Sequence, residues 1–210
     1  MKAFLGGFFF PSIFVTLNLI HPVPLIAKEN ITPSTLLAIR VYNYALIATW
    51  TLARAENAAA EVFQHAGFEV AWLDCPTTSE EALKFASCRQ DAAPTDLVLK
   101  IIAHFEAKRE GFSDLLFGFA AGFQVSVICD RVEDLAANSE CPPSKILGLM
   151  ITHEIGHALL GPRSHSPKGI MSPLWGPNDF RLATRKPRLF TDEQAEKIRL
   201  NLSKRAMAKK

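Results

Sequence analysis

The sequence predicts an α/β fold built on a five-stranded mixed sheet, and three observations lead there. Short apolar, β-branched segments alternate with helix-length runs in the first half of the chain. Two extended segments flank a single glycine near its middle, and a long run free of internal proline follows them. Strand–helix–strand order implies a largely parallel start, and two close extended segments imply a hairpin near the end of the sheet.

Each element has its own signal. Leu37–Tyr42 reads as a first strand. Ala48–His65 is rich in alanine and other good helix formers, and Gly67 closes it as a C-cap. Phe68–Leu73 alternates as a second strand, and Asp96–His104 carries the β-branched apolar run of a third. Leu115–Ala121 and Gln124–Cys129, separated by Gly122, form the hairpin. Lys145–Leu160 is a helix that starts at Pro142-Pro143-Ser144 and stops at Gly161-Pro162. A loop-rich segment runs from Gly161 to Arg188. Thr191 then caps a last helix, Asp192–Lys204, acidic in its first turn and basic near its end. Phe117, Phe119 and Phe123 read as strand core or the floor of a cleft. His65 and His104 end their elements and have no ligand spacing.

The chain has 210 residues, enough for one domain with a real core, and a net charge of +2. That charge gives no case for a nucleic-acid partner. Arg181, Arg185, Lys186, Arg188 and the basic tail 204–210 read as solvated surface.

Residues 1–27 differ in kind. Lys2 precedes Ala3–Ile20, a run apolar but for Ser12, Thr16 and Asn18, and His21-Pro22-Val23-Pro24 breaks it. This pattern is expected of a secretory signal peptide, with cleavage near Leu25-Ile26-Ala27. The alternative is an uncleaved anchor, since a run of about 18 residues is at the lower limit for spanning a bilayer. On either reading residues 28–210 form the folded part, secreted or otherwise extracytoplasmic, touching membrane only if the N-terminal segment is retained.

The four cysteines fit export. Neighbours in sequence suggest Cys75–Cys88 and Cys129–Cys141, although three pairings are formally open. Each short loop closed this way would stabilise the fold by roughly 3 kcal/mol through the unfolded state. The spacing is wrong for a four-thiolate zinc site.

Function is concentrated in residues 153–165, HEIGHALLGPRSH. His153 and His157 are four apart, so a helix stacks them on one face, together with Ile146, Met150 and Leu160. Two imidazoles so placed can each give one nitrogen to the same zinc ion at roughly 2.0–2.1 Å. Glu154 lies about 100° round the helix, where it reaches a metal-bound water without being a ligand. Beyond the helix stop, His165 is positioned to swing back as a third ligand. The blander alternative is a buried helix whose histidines satisfy local hydrogen bonds, but it leaves the ordered set of three histidines, glutamate, glycine and downstream methionine unexplained.

In that order of features the chain resembles the metzincin zinc metallopeptidases. His165-Ser166 followed by Gly169-Ile170-Met171-Ser172-Pro173 is similar to the run found in their matrixin-like branch. The resemblance implies His153, His157 and His165 as ligands of one catalytic zinc, Glu154 as general base, and Met171 as the methionine-turn residue packed beneath the metal. It also implies an upper subdomain with a five-stranded sheet, a backing helix and an active-site helix, and a small loop-rich lower subdomain with the C-terminal helix. The fourth strand would be the cleft edge, with Leu115, Phe117 and Phe119, and would hold an extended peptide by strand addition. The metzincin motif has two residues on each side of its glycine, whereas this chain has three between His157 and Gly161 and three more before His165. The return loop is therefore one residue longer, where an insertion costs least. No tyrosine follows Met171, so an auxiliary phenol is absent. Trp175 is expected to pack in the loop or to shape the pocket beside the metal. No cysteine lies between residue 28 and Leu36, which argues against a thiolate latch.

These readings imply an exported zinc endopeptidase acting on a peptide or protein. Two alternatives stand beside it. A gluzincin-type site would draw its third ligand from Glu193 or Glu196 on the last helix. A catalytically inactive zinc-binding module would keep the fold without a productive cleft.

Overall fold

Residues 35–103 and 117–208 are described by the structure, a computed structural model. Residues 1–27, His104 and Leu115 lie outside them. The chain order is β1 (Thr35–Asn43), α1 (Thr49–His65), β2 (Phe68–Cys75), α2 (Ser79–Ala82), α3 (Ala86–Arg89), β3 (Leu97–Ile102), β4 (Gly118–Ala121), β5 (Gln124–Ile128), α4 (Asp130–Ser139), α5 (Pro143–Leu160), α6 (Pro177–Ala183) and α7 (Asp192–Met207). The strands form one mixed sheet in the order β2-β1-β3-β5-β4. β1 pairs in parallel with β2 and β3, β3 in parallel with β5, and β4 alone runs antiparallel, against β5. The α/β architecture expected from the sequence is the one observed.

Register explains the core. Ile39 stands opposite Leu97, Leu99 opposite Val125, and Ile101 opposite Val127, so these side chains share one face. They form a single apolar cluster with Val62 and Phe63 of α1 and Ile146 and Leu149 of α5. Each such fully buried side chain contributes roughly 1.5–3 kcal/mol. The two helices touch where small residues allow it: a Cβ on Gly148 would stand 2.6 Å from the Ala55 carbonyl oxygen and 2.8 Å from the Ala58 Cβ. α5 is consequently buried nearly all round rather than along one stripe, from Ile146 to Leu160. It is a core helix that happens to carry histidines. Among the described residues no helix is long and apolar enough to cross a membrane.

The differences from expectation are local. The described part of the fourth strand is Gly118–Ala121, shorter than Leu115–Ala121. Residues 130–139, to which no element was assigned, form α4, and 177–183 within the loop-rich segment form α6. α4 corrects the cysteine pairing. Cys75 and Cys88 are joined as expected, but Cys129 and Cys141 are free thiols. The ten residues of α4 lie between them and span roughly 15 Å at 1.5 Å per residue. A disulfide needs Cα atoms within about 7 Å. Cys129 instead contacts the Asp130 carboxylate, and burial foremost, then that acid, pushes its thiol up to about 12.

Candidate metal centre

α5 fixes two of the three imidazoles. His153 is 8% exposed, and its Nδ1 lies 2.8 Å from the Ile170 carbonyl oxygen. A carbonyl only accepts, so Nδ1 carries the proton and Nε2 is left as a lone pair. His157 places its Nδ1 3.0 Å from the Ser164 hydroxyl. The helix ends at Gly161, whose N–H bonds the His157 carbonyl and whose φ of +98° is a turn that glycine adopts without strain. The chain then doubles back through Arg163, also left-handed, and delivers His165. The longer return loop still closes.

The three rings converge. His157 Nε2 lies 3.1 Å from His153 Nε2 and 3.0 Å from His165 Nε2, with ring planes at 79° and 81°. Their ligand atoms all fall within 4.8 Å of one another, and among the described residues this is the group able to hold a metal ion. Tetrahedral zinc bound at 2.0–2.1 Å separates its nitrogen ligands by roughly 3.3–3.4 Å, within a few tenths of the two separations made by His157. The single proton of a neutral His157 could not serve both neighbours, whereas one cation between three lone pairs satisfies them all. Burial first, then the neighbouring imidazoles, pulls His157 down to about 4; burial also lowers His153. Both rings are neutral near pH 7, the form in which an imidazole can bind a metal. Glu193 and Glu196, the alternative third ligands, take no part in the group, and Glu196 pairs with Arg199 at 3.1 Å.

Glu154 is 6% exposed and lies against the edge strand. A Cβ on Gly118 would come 2.6 Å from its Cγ, so only glycine there gives it room. Burial raises the Glu154 carboxyl to about 8. Below the rings, Met171 is fully buried, and its Sδ would stand 2.4 Å from a Cβ on Gly156. The Met171 carbonyl accepts from Ser166 N–H at 2.9 Å, and the Ser166 hydroxyl accepts from Gln194 of α7 at 3.0 Å, so the last helix braces the third histidine's loop.

A cleft of about 910 Å³ opens over this group, lined on one side by Phe117 to Gly122 and on the other by α5 and Pro173 to Trp175. Phe117 and Phe119 line this cleft together with the three histidines. Trp175 both packs and lines: its indole N–H donates to the Ser172 carbonyl at 2.9 Å, and its ring lies 5.2 Å from Phe180. Sequence reasoning missed two cleft residues. Arg131 enters from α4, 4.9 Å over the Phe117 ring. Arg205, assigned to a solvated tail, folds back from α7 to the cleft wall. Arg188 is likewise no free surface charge, since it pairs with Asp179 and lies 5.3 Å over Trp175.

No protein-family model and no curated protein matches the chain. Among solved structures, a zinc-dependent peptidase from Methanocorpusculum labreanum is similar in fold, with a TM-score of 0.51 at 13% identity, over 76% of this chain and 99% of that one. Archaemetzincin from Methanopyrus kandleri matches at 17% identity over 85% of this chain and 99% of its own, with a TM-score of 0.48, too low to add to the comparison.

Proposed function

We propose that this chain is a zinc-dependent endopeptidase of metzincin type that works in an exported compartment. The observation that carries the proposal is the meeting of three imidazole Nε2 atoms, 3.0 and 3.1 Å apart, beside a buried glutamate in an open cleft. The fold likeness to a zinc-dependent peptidase supports it. Held by His153, His157 and His165, zinc would supply Lewis acidity toward a water and a scissile carbonyl.

The chain's own residues do the rest. The outer edge of β4 offers backbone groups to an extended peptide laid along the cleft, as an additional strand. A cation held by the histidines would favour the ionised form of Glu154, which, held against Gly118, takes the proton of the attacking water and hands it to the leaving amine. Ile170 and Ser164 orient two of the rings from behind, and Met171 supports the turn beneath them. In the matrixin-like pattern, His165 to Pro173 supplies both the third ligand and the methionine turn. The open cleft beside Glu154 favours a working enzyme over an inert zinc-holding module. The apolar run Ala3–Ile20 and the Cys75–Cys88 bridge support export.

The test is Glu154→Gln. The variant should keep zinc, measured by elemental analysis, and lose peptide hydrolysis by about 10²–10⁴-fold. Hydrolysis at the wild-type rate would remove Glu154 from its role.

A further inference from the structure

We propose that the cleft contains a carboxylate-binding subsite built on Arg205, so that peptides carrying an acidic side chain or their own C-terminal carboxylate at that place are preferred. The proposal rests on the peptidase reading and names its substrate class.

Arg205 sits in the last turn of α7, where a basic side chain ordinarily points into water beside the helix's carbonyl end. Here it turns inward instead. One guanidinium nitrogen, Nη2, donates to the Ala158 carbonyl of α5, and the guanidinium carbon lies 4.4 Å over the Phe123 ring. Nη1 is buried and has no hydrogen-bond partner. No carboxylate of the described residues pairs with the side chain. A buried donor left without an acceptor costs about 1–3 kcal/mol, and more when it is charged. Arg205 lines the cleft, and the ligand group that best matches a guanidinium fork is a carboxylate.

Its position fits a peptide. Ala158 is one helical turn beyond Glu154, roughly 6 Å along α5. On the facing wall, Gly118 stands beside Glu154, and the strand runs three residues on to Ala121, roughly 10 Å. Both measures put Arg205 about two to three extended residues from the reacting bond, on the Ala121 side. Space exists there: a Cβ on Gly122 or on Gly161 would meet no atom within 4 Å. Among the described residues Glu154 is the one acid in the cleft lining. An acidic peptide is the complementary ligand.

The experiment uses the full-length, zinc-loaded chain and fluorogenic peptides differing at a single residue. Glu, Gln or Lys is placed two or three residues from the cleaved bond on each side, and the shortest peptides are compared as free acids and amides. On one side, Glu over Gln, or free acid over amide, should raise kcat/KM about tenfold or more, the size of one charge-assisted hydrogen bond. Which pair responds tells a side-chain carboxylate from a terminal one. Arg205→Glu should reverse the preference toward Lys, a gain that loss of folding cannot imitate, and Arg205→Lys should fall between. Equal rates for Glu and Gln and for acid and amide, or a preference that survives Arg205→Glu, would overturn the subsite while leaving the peptidase standing. Fluorescence anisotropy of the same peptides on Glu154→Gln protein reads the subsite without turnover. If no peptide is cut, Arg205-dependent discrimination there still supports it, and equal affinities overturn it.

Discussion

Gly118 and Glu154 touch across the cleft: the strand residue lacks a side chain where the glutamate's Cγ lies, 2.6 Å from any Cβ that could be built. The edge strand and the proposed base therefore share one piece of space. Moving either moves the other.

Gly118→Ala is accordingly expected to displace Glu154 while leaving the histidines alone. The new methyl would also stand 2.4 Å from the Ser126 carbonyl oxygen, so the strand and the glutamate shift together. A displacement of about 1 Å near the chemistry costs on the order of 10² in rate. Steady-state kinetics together with zinc content checks this: turnover should drop with metal unchanged. Loss of zinc instead would show that β4 supports the ligands rather than the base.

Ser164 orients His157 from outside the metal group, at 3.0 Å from Nδ1. Removing such a partner weakens metal binding about 10–100-fold. Ser164→Ala should show that loss in competition against a chromophoric chelator, with an unchanged circular dichroism spectrum. Wild-type affinity would mean that packing alone orients the ring.

Glu56 contributes to the pH dependence of stability. It is 7% exposed in α1, and burial, then the neighbouring Asp74, raises its carboxyl from 4.5 to about 7. Below pH 4.5 the folded and unfolded chains both hold the proton, and the residue costs nothing. Between 4.5 and 7 the unfolded chain releases it while the folded chain does not, so stability falls as pH rises and stays lowered above 7. The full loss is about 3 kcal/mol at 1.36 kcal/mol per unit. Urea denaturation of Glu56→Gln should match wild type at pH 4 and exceed it at pH 8 by up to that amount. Equal midpoints at pH 8 would show that Glu56 ionises normally.

What could be read from the chain follows from the range of each signal. His153, Glu154 and His157 were legible because their relation is set inside one helical turn. β3 was legible because five of its six residues, Leu97–Ile102, are apolar and only Lys100 interrupts them. α4 was not, since Val132, Leu135 and Ala136 are too few to declare a face between two cysteines that suggest a bridge. Arg205 gives no local sign at all: a basic residue near a helix end suits the dipole wherever it points, and only the approach of Phe123 and Ala158 turns it inward. His165 lies between these cases, because its place depends on a turn whose left-handed residues, Gly161 and Arg163, are only half announced by glycine.

Zinc-edge X-ray absorption on the metal-loaded protein and on His165→Ala reaches the centre of the account. Three imidazole nitrogens at about 2.0–2.1 Å are expected in the wild type, falling to two in the variant with a large loss of affinity. An unchanged spectrum in the variant, or sulfur among the scatterers, would place the ion elsewhere and contradict the site.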